Sequence, residues 1–461
     1  MQSSRRGTPE YQPGDDHVHP PWEALLEEPL RSQAQHAALY TALHMRDPEH
    51  VEQIAQQARE QIPDASPWDL SLPTACADLA LFYSFVARCF PEQDWQTIAQ
   101  RYLKLVAIRS KEHAIASPAL YGGTSGVAFV VQQWSGAERR YQQTLAHLHQ
   151  AIAEQVRQHS SWHLLPEGGV AESDFDLISG ASGIVGYLTS VPTLDRAAQE
   201  ALHTLLDYLL ALTEPGQTPG QEHWWCPSPR FVSEHDRQRY PSGRFNCGLA
   251  HGLPGTLAAL ALAALAGYGS PALQEALAFV SEWLIQHQIQ DEWGITWPAV
   301  IPLEQASSPE RWRALLPSRT AWCYGAPGIA RSLWHAARAL REDRYAAVAL
   351  EALHAVLKSP RSRRRIDGPN LCHGVAGLLL ICLHFAHESG DPLILEHIPR
   401  LVEQILTQFD PQSPLGFRDI GPGGILVDQA SFLTGAPGVA LALLAAANPV
   451  TPSWDRLLLL S

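Results

Sequence analysis

The chain has 461 residues, of which 46% are hydrophobic and 17% charged, so it carries enough apolar material for a large buried interior. A net charge of −14 without a basic stripe argues against a nucleic-acid partner. The sequence has no uninterrupted apolar run of about 20 residues, so no membrane span is predicted. The seven cysteines are scattered and odd in number. Together with an N-terminus that lacks a hydrophobic signal core, this pattern predicts reduced thiols and a cytoplasmic location.

Internal repetition organises most of the chain. Residues 1–20 are polar and predicted to be disordered, and residues 21–461 are predicted to form one domain. A motif of a glycine, two residues, a second glycine and an apolar helix-like run begins at Gly123, Gly180, Gly252, Gly325, Gly374 and Gly435. Thr74 to Ala77 is interpreted as a degenerate seventh copy at the start of the series. Such a repeat predicts one supersecondary unit used about seven times.

Helical patterns with charged faces lie between these motifs. They span Arg139 to Gln158, Leu194 to Leu212, Ala272 to His287, Tyr345 to Lys358 and Leu393 to Phe409. The runs that follow the glycines are apolar nearly all round, so they are predicted to be buried. About seven inner and seven outer helices therefore predict an all-α fold, a double-layered α/α toroid. An open solenoid would show the same local pattern.

Three segments depart from this rhythm. Insertions are predicted near residues 213–244, which are rich in Pro, Trp and Gly, and near 289–318. Within the second, Glu292 to Trp297 alternates like a short hairpin. The arginine run at 361–365 is interpreted as a solvated loop between helices, with contact to an acidic peptide segment as the alternative.

Residues with reactive or metal-binding side chains occupy equivalent positions in successive repeats. The position before the first glycine holds His251, Tyr324 and His373, and the position before that holds Cys323 and Cys372. If the ring closes, these helix starts face one end and converge on one pocket. Two thiols and an imidazole are typical of a catalytic zinc site with an open fourth position. For each cysteine alone, a buried inert thiol remains the simpler interpretation.

Further side chains complete this hypothesis. His251 occupies a ligand-equivalent position but follows Ala250, which favours an acid/base role. Asp176 lies four residues before Gly180 and is interpreted either as a carboxylate that orients His251 or as a helix cap. Arg319 and Tyr324 flank Cys323, where they either donate hydrogen bonds to a reacting group or structure the loop.

Three sequence blocks resemble those of a known family. Asn246 to Gly252 (NCGLAHG), Trp322 to Gly325 (WCYG) and Leu371 to Gly374 (LCHG) resemble the signature blocks of the lanthionine synthetase C-like cyclases, in the family's order. The resemblance extends over roughly residues 65–445. It implies an α/α toroid with Zn²⁺ bound by Cys323, Cys372 and His373. It also implies that His251, Asp176, Arg319 and Tyr324 are the other active-site residues. The degenerate first repeat and Cys247 depart from the family pattern.

The implied activity is a zinc-dependent, Michael-type addition of peptide cysteine thiols to dehydroalanine or dehydrobutyrine, which forms (methyl)lanthionine rings. A dehydrated precursor peptide is the expected substrate, and a separate dehydratase and an export transporter are the expected partners. These partners allow association with a membrane through a biosynthetic complex.

Three alternatives stay open. A non-catalytic family member would bind a thiol such as glutathione. A prenyltransferase-like zinc toroid would need a site for a diphosphate. A glycosidase would need a second carboxylate opposite Asp176.

Overall fold

The computed structural model describes residues 21–62, 69–135, 140–165, 168–216 and 222–461, so the N-terminal segment predicted to be disordered lies outside the described residues. Helices dominate these ranges. In chain order they are α1 (Leu30–His44), α2 (Pro48–Gln61), α3 (Pro73–Cys89), α4 (Trp95–Glu112), α5 (Thr124–Ser135), α6 (Arg140–Gln158), α7 (Glu172–Phe175), α8 (Ala181–Leu188), α9 (Arg196–Leu212), α10 (Glu234–Arg239), α11 (Leu253–Ala263), α12 (Pro271–Gln286), α13 (Leu303–Ala306), α14 (Pro309–Trp312), α15 (Ala326–Leu340), α16 (Asp343–Lys358), α17 (Arg361–Arg364), α18 (Val375–Ser389), α19 (Pro392–Leu406) and α20 (Ala436–Ala447).

The helices that follow the glycine motifs form a closed inner ring. In ring order they are α3, α5, α8, α11, α15, α18 and α20; each contacts the next, and α20 contacts α3. Helices such as α11 and α20 are buried along their whole length, as their all-round apolar character predicts. The degenerate first copy lies in α3 and takes its place in the ring. The predicted all-α toroid is confirmed, and the open solenoid is excluded by the contact between α20 and α3.

A second layer of helices surrounds this ring. Six outer helices, α4, α6, α9, α12, α16 and α19, each pack on the inner helix that precedes them. The seventh outer position is filled by α1, which packs on α20 and α19. Each of the other six packed pairs is an inner helix with the outer helix that follows it in sequence. The pair formed by α20 and α1 therefore joins the last helix of the series to the first.

The second glycine is where one repeat packs on the next in five of the six motifs, from Gly183 onwards. A Cβ atom at Gly328 would lie 2.4 Å from the Trp322 carbonyl oxygen and 2.9 Å from the Leu249 Cβ. At Gly377 it would lie 2.1 Å from the Leu371 carbonyl oxygen and 3.1 Å from the Trp322 Cβ. Glycine is required here because the loop of the same repeat and a side chain of the preceding repeat both approach the helix closely.

Gly377→Ala is therefore expected to lower the free energy of unfolding by about 1–3 kcal/mol, the usual cost of overpacking a core. Gly269→Ala is the matched control, because Gly269 has an ordinary φ of −66° and nothing lies within 4 Å of its added Cβ. Urea denaturation measures both variants. An unchanged midpoint for Gly377→Ala would show that the repeats can move apart at no cost.

Short strands occur in the segments that interrupt the helices. They are β1 (Arg244–Asn246), β2 (Ile289–Gln290), β3 (Ile295–Thr296), β4 (Val300–Pro302), β5 (Asp419–Ile420) and β6 (Leu426–Val427), paired antiparallel as β1–β4, β2–β3 and β5–β6. The β2–β3 pair confirms the predicted hairpin, with strands shorter than the alternation of residues 292–297 suggested. The β1–β4 pair joins the end of the first interrupting segment to the second.

The arginine run at 361–365 differs from the predicted loop. Residues 361–364 form the single turn α17, and Arg365 follows in a left-handed conformation with φ of +54°. Arg364 is buried and donates hydrogen bonds to the carbonyl oxygens of Leu357 and Ser359. Arg361, Arg363 and Arg365 are exposed. Only part of the run is solvated, because one arginine is used to close the end of α16.

Residues 453–460 lie between inner helices from different parts of the ring. Trp322 Nε1 donates to the Leu458 carbonyl oxygen at 3.0 Å, and Arg331 Nε donates to the Leu460 carbonyl oxygen at 2.8 Å. Arg456 Nε donates to a carbonyl oxygen of α8 at 2.8 Å. The inside of the ring is thus filled by the chain's own C-terminal segment. Within the ranges described, none of the helices combines the length and apolar character needed to cross a bilayer.

Candidate functional site

The loops that lead into the inner helices are joined by backbone hydrogen bonds. The amide of Leu177 donates to the carbonyl of Ala250 at 3.1 Å, and the amide of Ala250 donates to the carbonyl of Cys323 at 3.2 Å. In the same way, the amide of Cys323 donates to the carbonyl of Cys372 at 3.1 Å, and the amide of Cys372 donates to the carbonyl of Leu433 at 3.0 Å. Equivalent residues of neighbouring repeats therefore lie side by side at one end of the ring.

Cys323 and Cys372 come together at this end. The backbone N–H of Cys323 donates to the Cys372 carbonyl oxygen at 3.1 Å, each thiol affects the pKa of the other, and neither forms a disulfide. The interaction with the Cys372 side chain lowers the pKa of Cys323 despite the opposing effect of burial, and the charges of Arg319 and His251 lower it further. The same interaction, followed by burial, raises the pKa of Cys372 well above its usual value. The pair therefore favours one thiolate, on Cys323.

A tight turn brings Arg319 back towards these thiols. Gly325 has a φ of +102°, and a Cβ atom there would lie 1.7 Å from the Arg319 carbonyl oxygen. The Arg319 side chain is exposed, and its positive charge lowers the pKa of Cys323 and of Cys372. Only glycine allows this turn, so Gly325 helps to determine where the cation stands.

His373 follows Cys372 and contacts two polar side chains. Its Nε2 lies 3.1 Å from Asn370 Nδ2 and 4.0 Å from Asp419 Oδ1. Asn370 Oδ1 also accepts the backbone N–H of His373 at 2.8 Å. Burial is the largest cause that lowers the pKa of His373, so the neutral ring, the form that binds metals, is favoured.

His251 is paired with Asp176 in the same ring of loops. The His251 Nδ1 lies 2.6 Å from Asp176 Oδ2, while Asp176 Oδ1 accepts the backbone N–H groups of Ser179 at 2.7 Å and Gly180 at 2.9 Å. Both interpretations of Asp176 therefore hold at once, since one oxygen caps the loop before α8 and the other orients the histidine. Burial lowers the pKa of His251, but the hydrogen bond and charge of Asp176 outweigh it and raise the pKa overall.

Tyr324 lies next to the histidine. Its ring centroid is 6.4 Å from that of His251, and its hydroxyl oxygen accepts a hydrogen bond from Asn246 Nδ2 at 3.0 Å. Burial raises the pKa of Tyr324, so the phenol keeps its proton at neutral pH. The O–H therefore remains available to donate to a second partner. All seven residues predicted from the sequence thus belong to one end of the ring.

Two further residues of the site were missed by sequence reasoning. Asn370 lies four residues before the first glycine of its repeat, the same place as Asp176, so repeat alignment could have found it. Asp419 lies in β5, outside any motif, and approaches His373 only through the fold. No local signal in the sequence marks it.

The donor set suits zinc by its chemistry. Within the part of the chain that the structure describes, no group of three His, Cys, Asp or Glu side chains is already arranged as a metal centre. The two neighbouring thiols and the adjacent neutral imidazole are nevertheless the ligand types that bind Zn²⁺. A metal at this place would be held by Cys323, Cys372 and His373.

The chain is similar to known proteins over most of its length. Residues 66–459 match the family described as Lanthionine synthetase C-like protein. The chain is 25% identical over 363 residues to the Nisin biosynthesis protein NisC of Lactococcus lactis subsp. lactis, which covers 78% of this chain and 84% of that protein. A solved structure of nisin cyclase is similar with a TM-score of 0.70 and 22% identity, covering 90% of this chain and 97% of that chain. The structural likeness at this identity establishes a shared fold.

Proposed function

Because the chain belongs to the lanthionine synthetase C-like family, we propose that it is a zinc-dependent cyclase for dehydrated peptides. The reaction adds a peptide cysteine thiol across the double bond of dehydroalanine or dehydrobutyrine and yields a thioether ring. The observation that carries the proposal is the backbone hydrogen bond of 3.1 Å that joins Cys323 to Cys372, beside His373. The His251–Asp176 pair belongs to the same ring of loops.

Cys323, Cys372 and His373 would hold the zinc ion. When bound, Zn²⁺ supplies the Lewis acidity that lowers the pKa of an incoming thiol, which is about 8.5 for a free cysteine. Asn370 and Asp419 restrict the orientation of the His373 ring through their contacts with Nε2. Polar partners behind a metal-binding histidine commonly fix its ring in this way.

We assign the proton transfers of this reaction to His251. Its Nδ1 is occupied by Asp176, so Nε2 faces away from that carboxylate and is the nitrogen available to substrate. In the reaction the C–S bond forms at the β-carbon, and a proton must reach the α-carbon. No net proton is consumed, so one histidine can take the proton from the thiol and return it to carbon.

Tyr324 and Arg319 donate hydrogen bonds to the carbonyl oxygen of the dehydroamino acid, where negative charge develops. Tyr324 keeps its O–H because burial raises its pKa, and Asn246 fixes the position of the hydroxyl oxygen. Arg319 adds a positive charge that no carboxylate neutralises among the described residues. Donors held in place for developing charge are a principal source of enzymatic rate acceleration.

The test is reconstitution with purified protein, Zn²⁺ and a synthetic peptide that contains one dehydroalanine and one cysteine. Ring formation leaves the mass unchanged, so progress is followed by the loss of alkylation by N-ethylmaleimide and by tandem mass spectrometry. We expect the alkylatable thiol to disappear with protein and zinc and to persist after chelation. A thiol that disappears no faster than without protein would overturn the proposal. Tight binding of glutathione without ring formation would instead favour a thiol-binding role.

A further inference from the structure

A groove of about 710 Å³ lies beside the loop that leads to Cys323. One wall comes from residues 298–302, which include β4, and the other from residues 314–319. Most of the surface is apolar, with Pro298, Val300 and Leu316 among the lining residues, and Leu316 is 74% exposed. Such an apolar trough is large enough for a short segment of extended peptide.

Three arginines line the same groove, namely Arg239, Arg319 and Arg365. All three are exposed, and none forms an ion pair within the described ranges. Arg365 Nη1 donates only to the Pro317 carbonyl oxygen at 3.1 Å, and the Arg239 guanidinium lies 5.5 Å from the Tyr240 ring centroid. No carboxylate in the part of the chain that the structure describes pairs with these arginines, although the net charge of the protein is −14.

The surrounding residues make this concentration of positive charge specific to the groove. Glu304 is the only acidic side chain among its lining residues. The nearby Arg244, in contrast, is neutralised by Glu172 at 2.9 Å and Asp236 at 3.1 Å. The groove therefore carries a net positive charge on an otherwise acidic protein, which favours an anionic occupant.

The groove lies beside the loop that leads to Cys323, which pairs with the loop that carries Cys372. Arg319 lines the groove four positions before Cys323, and the turn between them closes with Gly325 against the Arg319 carbonyl oxygen. A peptide chain whose cysteine reaches these thiols has the groove as an adjoining path along the protein surface. Apolar walls can contact its side chains while the arginines contact carboxylates.

We infer that the groove binds the segment of the substrate peptide next to the reacting cysteine and selects segments that carry carboxylate side chains, an inference that rests on the proposed function. A nucleic acid fits less well, because three arginines on a protein with a net charge of −14 offer few phosphate contacts. An anionic lipid surface shares the charge but would not enter a trough with two walls.

The test measures binding without turnover. Two fluorescein-labelled, twelve-residue peptides carry one cysteine and differ only in four positions, glutamate in one and glutamine in the other. Fluorescence polarisation is expected to show about tenfold tighter binding of the glutamate peptide at low salt. The preference is expected to decrease as ionic strength increases, because exposed ion pairs are screened.

The variant pair isolates the groove. The double variant Arg239→Gln with Arg365→Asn is expected to lose the preference for glutamate. Arg341→Asn is the matched control, because Arg341 is exposed, has a φ of +56° against +54° for Arg365, and lies at the far end of α15. Asparagine tolerates this left-handed conformation, so neither substitution should prevent folding.

Equal binding of the two peptides to the unmodified protein would overturn the inference. It would also be overturned if Arg341→Asn lost the preference for the glutamate peptide as fully as the double variant does. Vesicles that contain phosphatidylglycerol are tested in parallel. If the double variant loses binding to vesicles but not the preference for the glutamate peptide, the groove serves a lipid and the inference is wrong. Ring formation at the same rate on versions of both peptides that also contain one dehydroalanine, with equal binding, would reject the groove and leave the proposed function intact.

Discussion

Cys372→Ala is expected to abolish both zinc binding and ring formation. Cys372 is one of the two cysteines of the site, and its backbone amide and carbonyl also join the neighbouring loops. Loss of one thiolate from a set of three protein ligands leaves too few donors for a stable zinc site. Metal analysis is expected to fall from about one zinc per chain to less than a tenth of that value.

A second buried cysteine provides the control for this substitution. Cys382 lies in α18 of the same repeat, is fully buried and has its pKa raised by burial to about 12, so it is an inert thiol. Cys382→Ala should retain zinc and activity at a small cost in stability. A Cys372→Ala protein that binds zinc as the unmodified protein does, and still forms rings, would remove Cys372 from the ligand set.

Asp176→Asn is expected to lower kcat by about 10²- to 10⁴-fold while zinc content stays unchanged. The amide preserves the size of the side chain but removes the charge that orients His251 and raises its pKa. Burial, the opposing cause, then dominates, and the pKa of His251 falls. The limb of the pH–rate profile governed by His251 should therefore shift towards lower pH.

The same pair makes a pH-dependent contribution to stability. The pKa of His251 in the folded protein is raised above its unfolded value of about 6.5. The ion pair therefore stabilises the fold fully below the unfolded pKa, and this contribution is lost as the pH rises through the raised folded pKa. Denaturation of the Asp176→Asn protein should show less of this dependence.

Asp195→Asn is the matched control for the pair. Asp195 has the same arrangement away from the site, with Oδ2 at 2.8 Å from His149 Nδ1 and Oδ1 accepting the amide of Ala198 in α9 at 2.9 Å. It should lose comparable stability but keep ring formation. If both variants lose activity to the same extent, the effect of Asp176 is structural. If neither does, Asp176 has no part in positioning His251.

The sequence predicted the local structure well because the repeat and the helical periodicity are both local signals. The glycine motifs predict the starts of the inner helices, and the repeat alignment predicts that equivalent positions such as Cys323 and Cys372 are neighbours. Closure was not predictable in this way, since it depends on contact between α20 and α3, helices at opposite ends of the chain. A repeat pattern gives the relation between adjacent units only.

For the site, the sequence likewise predicts which residues take part but not which partners they contact. Asp176 and Asn370 occupy one repeat position, yet Asp176 contacts the histidine of the next repeat and Asn370 contacts that of its own. Repeat alignment can identify both residues but not these different partners. Asp419 reaches His373 from a strand that belongs to no repeat, so only the folded chain places it there.

The pairing of α1 with α20 has a consequence for synthesis of the protein. Gln35 Nε2 donates to Asn448 Oδ1 across 413 positions, so this contact forms only after Asn448 has been synthesised. At about 5–20 residues per second, α1 waits roughly 20–80 seconds for its partner on the ribosome. During that time the growing ring has an open edge, and residues 453–460 are not yet present to fill its interior. The nascent chain is therefore the form most exposed to aggregation, and slower growth or added chaperones should improve the yield of folded protein.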